Sequence, residues 1–169
     1  LKELFERVSV RKFQDVQVEN EKCEQILRAA MAAPSAGNQR PWEFIVVKNK
    51  ETLEKLSKTS PYASCLEKAP MAIVVLGNDE NLKFPEYWQI DLSAAVENML
   101  LEAVHLGLGG VWLGIAPLKE RMDKVAGIFQ MPGNLHPFAI IPFGYAESKT
   151  HLNDRFELSR VHYENLKLN

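Results

Sequence analysis

Ala33-Pro34-Ser35-Ala36-Gly37-Asn38-Gln39-Arg40-Pro41-Trp42 separates an amphipathic helical stretch from the strand-like run Glu43-Phe44-Ile45-Val46-Val47. Pro34 cannot continue a helix, because it lacks the N–H and its ring clashes with the preceding turn. Gly37 and Asn38 tolerate positive φ, and Pro41 restricts Arg40. A turn this dense in small polar residues offers backbone donors, hydroxyls and amides, which suits a flat polar ligand. An ordinary helix-to-strand turn has the same composition, so the segment alone leaves both readings open.

Working outward, Cys23, Ile26, Leu27, Ala30 and Met31 recur at helical spacing, and Asn20 is the expected N-cap of a helix ending at Ala33. Residues 2–8 read as a short helix with Leu4, Phe5 and Val8 on one face. On the other side, 43–48 is a strand, and Lys50 to Lys58 a helix with Leu53 and Leu56 inward. Met71 to Leu76 is a short, β-branched apolar run stopped by Gly77, hence a fully buried strand. Residues 78–90 are irregular, with Phe84, Pro85, Tyr87 and Trp88; these aromatics form either a lid or a cluster under a loop. The longest helix spans 91–106 and is apolar nearly all round. Such a helix must be covered on all sides, and in a chain this small one side is expected to face another subunit. Gly110 to Ile115 reads as a strand and Leu118 to Phe129 as a helix. Phe138 to Gly144 is a last strand, whose end Pro142 demotes to an edge or bulge. The tail 145–169 has no strong period. Interleaved helices and strands give an α/β or α+β sandwich, and periodicity does not choose between them.

At 169 residues the chain has the size of one domain, and its 46% hydrophobic content supports a real core. A net charge of -2 leaves no electrostatic footprint for nucleic acid or for a membrane surface. No apolar run is long enough to span a bilayer. The charged first residues do not read as a secretory signal, and Cys23 and Cys65 make no disulfide framework, so a cytoplasmic location is expected. Cys23 falls on a helix's apolar stripe and reads as a small buried thiol. His105, His136, His151 and His162 have no metal-ligand spacing, so no metal is expected. His105 reads as a helix C-terminal residue favoured by the dipole. There is no G-x-G-x-x-G, no P-loop and no G-x-S-x-G elbow. Without its own nucleophile and base, the chain is expected to take its chemistry from a cofactor.

Arg7, Ser9 and Arg11 alternate, so an extended segment presents them to one side. Paired arginines with a hydroxyl suit a phosphate, although a solvated basic turn has the same spacing.

Five stretches, in order, resemble the FMN-dependent nitroreductase family. They are Arg7-Val8-Ser9-Val10-Arg11-Lys12-Phe13, the Ala33–Trp42 turn, Asp91 to Leu101 with Asn98, Gly109-Gly110-Val111-Trp112-Leu113-Gly114, and Asp154-Arg155-Phe156. The resemblance implies an α+β sandwich: a mainly antiparallel sheet flanked by helices, built as an intertwined homodimer. One domain would span 1–169, with 145–169 as a tail reaching the partner subunit.

The resemblance also implies a cofactor, FMN, with NADH or NADPH as electron donor and a small-molecule acceptor. Arg7 and Ser9 would serve the FMN phosphate, joined by Arg155, and Arg11 would reach the N1–O2 edge of the ring. Pro34, Ser35, Ala36 and Asn38 would come from the other subunit to edge the ribityl chain and ring. Leu113 and Gly114 would set backbone N–H groups against N5 and O4, and a glycine at 114 permits close approach, or is a simple bulge. Trp42 reads as core. Val8 departs from the family, which often has a basic residue there. The implied activity is NAD(P)H-dependent reduction of nitroaromatic or quinone-like acceptors. A flavin-binding module without turnover, or another reductive chemistry such as dehalogenation, stays open beside it.

Overall fold

The structure, a computed structural model, describes residues 1–148 and 154–164; the remainder of the predicted 145–169 tail lies outside the described residues. The elements in chain order begin with the short helix α1, Glu3–Glu6, and α2, Asn20–Met31. Strand β1, Trp42–Val47, helix α3, Lys50–Ser57, and strand β2, Met71–Asn78, follow. Then come α4, Trp88–His105, the two-residue strands β3, Gly109–Gly110, and β4, Leu113–Gly114, helix α5, Lys119–Phe129, and β5, Leu135–Gly144. The strands form one antiparallel sheet in the order β1-β2-β5-β3, with β4 also on β5.

Strand β2 is buried on both faces, as its unbroken apolar run predicts. Met71, Ile73 and Val75 join Cys23, Ile26 and Ala30 of α2 and Leu92, Ala95, Val96 and Met99 of α4 in one core layer. Ala72, Val74 and Leu76 join Leu53 and Leu56 of α3 and Val125 of α5 in the other. Each large apolar side chain fully buried here contributes about 1.5–3 kcal/mol. Trp42 packs against the α2–α4 layer.

Several sequence expectations shift. Glu19, not Asn20, holds the extended N-cap position of α2. The Asn20 side chain is engaged elsewhere, its Oδ1 accepting from Lys48 Nζ at 2.8 Å. Helix α4 begins at Trp88 rather than 91, so Trp88 leaves the proposed lid. Its ring packs edge-on to Phe138, 6.0 Å between centroids, and close over Gly77. His105 ends α4 as expected and bonds Glu3, with Nδ1 and Oε1 3.1 Å apart.

Pro142 marks neither an edge nor a bulge. β5 is interior to the sheet, and its irregularity falls at Phe138, which the β2 register skips. Pro142 acts on the other flank. β3 and β4 keep a single register against β5 but are broken at Val111–Trp112, the stretch opposite Ile141–Pro142. The Ile115 N–H bonds Phe138 O at 3.1 Å, which fixes the parity: odd residues from 109 to 115 bond β5 and Gly110, Trp112 and Gly114 face away, before the Ala116 N–H joins Ile115 on Phe138 O at 2.9 Å. Val111 therefore faces the position where Pro142 has no N–H to give, and the single predicted strand Gly110–Ile115 splits in two.

Helix α4 buries Leu92, Ala95, Val96, Met99, Leu100 and Ala103 on the sheet side. Its outer flank keeps Ile90 61% exposed and Ala94, Leu101 and Val104 half-buried. The chain covers one side of its apolar circumference.

Candidate functional site

The Arg7–Phe13 run lies along the outer edge of β3. Val10 N donates to Gly110 O at 2.9 Å, and Ser9 makes a parallel bridge to Gly110. The approach is close: a Cβ at Gly109 would stand 2.5 Å from Val10 Cγ2. Gly109→Ala should therefore push the run outward and cost about 1–3 kcal/mol, the usual penalty of overpacking. A urea midpoint matching wild type would show that the run yields freely.

The run is extended enough to sort its side chains by alternation. Glu6, Val8 and Val10 line a groove of about 660 Å³ with Val104, Leu108 and Tyr145. Arg7, Ser9 and Arg11 are not in that groove. Val8, the departure from the family pattern, packs with Val10, Phe13 and Ala69 instead of offering a charge.

The two arginines reach different elements. Arg7 is half-buried, its Nε 3.9 Å from Glu97 Oε1 on α4. Glu97 is half exposed, and pairs of this kind are worth about 0–1 kcal/mol, so little free energy holds Arg7 to it. Arg11 is exposed, and its charge is felt by Cys65 in the helical turn Ser64–Lys68. Burial pushes the Cys65 thiol up, and the Arg11 charge pulls it down less strongly. Cys65 and its turn were not assigned from sequence; only the fold sets them near Arg11. Arg155 is exposed in the C-terminal segment.

The Pro34–Asn38 loop is organised by a residue whose part the sequence did not disclose. Asp91, in the first turn of α4, is 4% exposed. Its Oδ1 accepts from Ala36 N at 2.8 Å and its Oδ2 from Gln39 Nε2 at 2.7 Å. Gln39 in turn bonds both Phe84 N and Phe84 O at 3.0 Å. Ser35 Oγ accepts from Arg40 N at 2.9 Å. Gly37 and Asn38 take φ of 54° and 55°, as their types allow, and Arg40 takes 49°. Phe84 lies against Gly37 and meets Tyr87 edge-on at 6.4 Å. Asn38 is exposed with Phe84 and Tyr87. Among the described residues, no hydrogen bond or ion pair joins this loop to the Arg7–Arg11 run.

The broken strand supplies the third part. By its parity, Gly110, Trp112 and Gly114 turn their backbone groups away from β5. Gly110 O is taken by Val10 and Gly114 O by Arg121 Nη1 at 2.9 Å. Trp112 N–H and C=O and Gly114 N–H remain on the open edge. Leu113, expected to share this role, gives its backbone to the β5 ladder and buries its side chain. Gly114 is exposed, and a Cβ built there meets no atom within 4 Å. The space above it is free for a flat group to approach.

Among the described residues, no group of three or more His, Cys, Asp or Glu stands together as a metal site, and no helix is long and apolar enough to cross a membrane.

The arrangement fits FMN in its donor chemistry. Arginines and a hydroxyl on the Arg7–Arg11 run have the chemistry a phosphate takes, and outward amide groups border open space beside Gly114. Comparison with known proteins agrees. The Nitroreductase family matches residues 4–60 and 57–145. A Methanothermobacter thermautotrophicus relative, provisionally described as an NADH dehydrogenase/NAD(P)H nitroreductase, is 43% identical over 158 residues, covering 94% of this chain and 83% of its own. The crystal structure of a provisionally named NADH oxidase from Clostridium acetobutylicum superposes with a TM-score of 0.95 at 47% identity, covering 97% of this chain and 99% of that one. An FMN-dependent nitroreductase of Clostridium difficile superposes at 0.90 with 32% identity, covering 97% and 98%. With motifs, sheet order and relatives in agreement, this chain is an oxidoreductase of the nitroreductase family.

Proposed function

We propose that this chain is an FMN-dependent NAD(P)H oxidoreductase acting on nitroaromatic or quinone-like acceptors. When bound, FMN would supply the hydride-accepting N5 and the ping-pong redox chemistry between NADH or NADPH and the acceptor. The observation that carries the reading is the interrupted sheet edge. It sets Trp112 and Gly114 backbone groups outward, beside a run that carries two arginines at separate points.

Arg7, Ser9 and Arg155 hold the phosphate, and Arg11 serves the N1–O2 side of the ring. Gly114 N–H meets the N5–O4 side. Pro34, Ser35, Ala36 and Asn38 of a second copy edge the ribityl chain and ring. Donor and acceptor share one open face, which needs no dinucleotide-binding G-x-G-x-x-G. The FMN-dependent Clostridium difficile structure supports the cofactor. Anaerobic mixing of the purified yellow protein with NADH or NADPH tests the activity. Loss of flavin absorbance, followed by its return on adding a quinone or a nitroaromatic, is the expected result. Absorbance unchanged by both donors would leave a flavin-binding module without turnover.

The assembly follows from α4. Ile90 on its outer flank and Leu4 and Phe5 on α1, the latter two 50% and 54% exposed, leave apolar surface open, with Ala94, Leu101 and Val104 half-buried behind it and the Arg7–Glu97 pair among them. A homodimer closed over it would bury on the order of 2,000–5,000 Å². The tail, with Phe156 72% and Tyr163 80% exposed, crosses onto the partner. Sedimentation at low micromolar concentration should show a dimer, loosened by truncation after Phe156. A folded, flavin-loaded monomer contradicts this assembly.

A further inference from the structure

Arg121 stands in the first turn of α5 and reaches back to the end of β4. Its Nη1 donates to Gly114 O at 2.9 Å, and its guanidinium carbon lies 5.6 Å from the centroid of the Tyr62 ring. A planar cation over an aromatic face gains orientation as well as energy.

The neighbours make its choice of partner informative. Arg121 lines a cleft of about 440 Å³ together with Lys58, Lys119, Glu120 and Lys124. Each lysine is neutralised along its own helix: Lys58 bonds Glu54 at 2.9 Å, Lys119 bonds Asp123 at 2.8 Å, and Lys124 bonds Glu120 at 2.7 Å. Arg121 bonds a neutral carbonyl instead. Among the described residues no carboxylate lies within ion-pair distance of it; Glu120 feels its charge from further off, and the guanidinium itself rests on the Gly114 carbonyl. Gly114 is also the residue whose N–H faces open space.

We infer that Arg121 is a positioning residue for the reactive edge. By bonding the Gly114 carbonyl it holds that residue's backbone turned outward, and it keeps a positive charge beside the edge, which favours the anionic reduced flavin over the oxidised one. The inference rests on the flavin reading given above, and assigns to that site a residue from outside its motifs.

The test compares wild type, Arg121→Ala, Arg121→Lys and Tyr62→Leu as folded, FMN-loaded proteins. Affinity for oxidised FMN is read by fluorescence titration, the midpoint potential against a reference dye, and stability by urea unfolding. Arg121→Ala should lose about tenfold more affinity for reduced than for oxidised FMN, a midpoint about 30 mV more negative. Arg121→Lys keeps the charge and should recover most of the midpoint. Tyr62→Leu frees the guanidinium and should give an intermediate shift. A role confined to closing the β4–α5 turn predicts lower stability with an unchanged midpoint, and that result overturns the inference. If wild type binds FMN and is bleached by NADH while all variants match its midpoint, the flavin reading stands and only the role of Arg121 fails. A wild-type protein that takes up no FMN overturns both.

Discussion

Replacing Asp91 with alanine should cost about 3 kcal/mol or more of folding stability and abolish high-affinity flavin binding in the same step. The carboxylate is buried at 4% exposure and accepts from Ala36 N and Gln39 Nε2. Hydrogen bonds to a charged group contribute roughly 1.5–3 kcal/mol each, and a buried N–H left without a partner costs about 1–3 kcal/mol. In Asp91→Ala the Ala36 N–H is such an orphan. Gln39 loses its anchor and, with it, the hold on Phe84. The position at the start of α4 adds a smaller contribution, since a negative charge there favours the helix dipole. Asp91→Asn should rescue little, because its amide presents an acceptor to one donor and two hydrogens to the other. Urea unfolding with a parallel FMN titration measures both effects. An unchanged urea midpoint would mean that the Pro34–Asn38 loop is held by something other than this carboxylate.

The second large effect separates the two arginines of the N-terminal run. Arg11→Ala should move the flavin midpoint negative by about 30–60 mV, because a guanidinium at the N1–O2 side stabilises the reduced form more than the oxidised one. Arg7→Ala should weaken FMN binding by roughly 10–100-fold, the worth of one charge-assisted contact to phosphate, with little change in midpoint. The surroundings differ, since Arg7 is half-buried 3.9 Å from Glu97 on α4, whereas Arg11 is exposed and its charge is felt by the Cys65 thiol. Spectroelectrochemistry on both flavin-saturated variants decides. A larger midpoint shift for Arg7→Ala than for Arg11→Ala would mean that the two sit at opposite ends of the cofactor from those assigned.

The elements set by local chemistry were readable from the residues themselves. The Met71–Leu76 run declared a strand buried on both faces, because no polar residue interrupts it, but Gly77 does not stop it: the strand continues to Asn78, with Gly77 paired to Trp42 and His136. The positive φ of Gly37 and Asn38 followed from their types. Features that depend on a distant partner were not readable. Pro142 was expected to turn the end of its own strand into an edge or bulge, but its missing N–H damages the neighbouring strand at Val111–Trp112 instead, and only the register shows that. Asp91 opened a family-like stretch but carried no assigned role, because its partners Ala36 and Gln39 lie in a loop distant in sequence. Cys65 could not be placed near Arg11 by spacing, since more than fifty residues separate them. Parity along the broken strand likewise decides that Gly114, and not Leu113, turns its amide outward.

The broken edge also bears on how the protein avoids self-association of the wrong kind. A long unpaired strand is a template for another chain's backbone, and proteins blunt such edges with short strands, charges and coverings. Here the outer flank of β5 is filled by two strands of two residues each. One end is capped by the Val10–Gly110 bond and the other by Arg121. The stretch left open, Trp112 to Gly114, is too short to nucleate strand-to-strand stacking between molecules. The imino acid that opens a ligand-facing window in the sheet thereby also keeps that window from seeding aggregation.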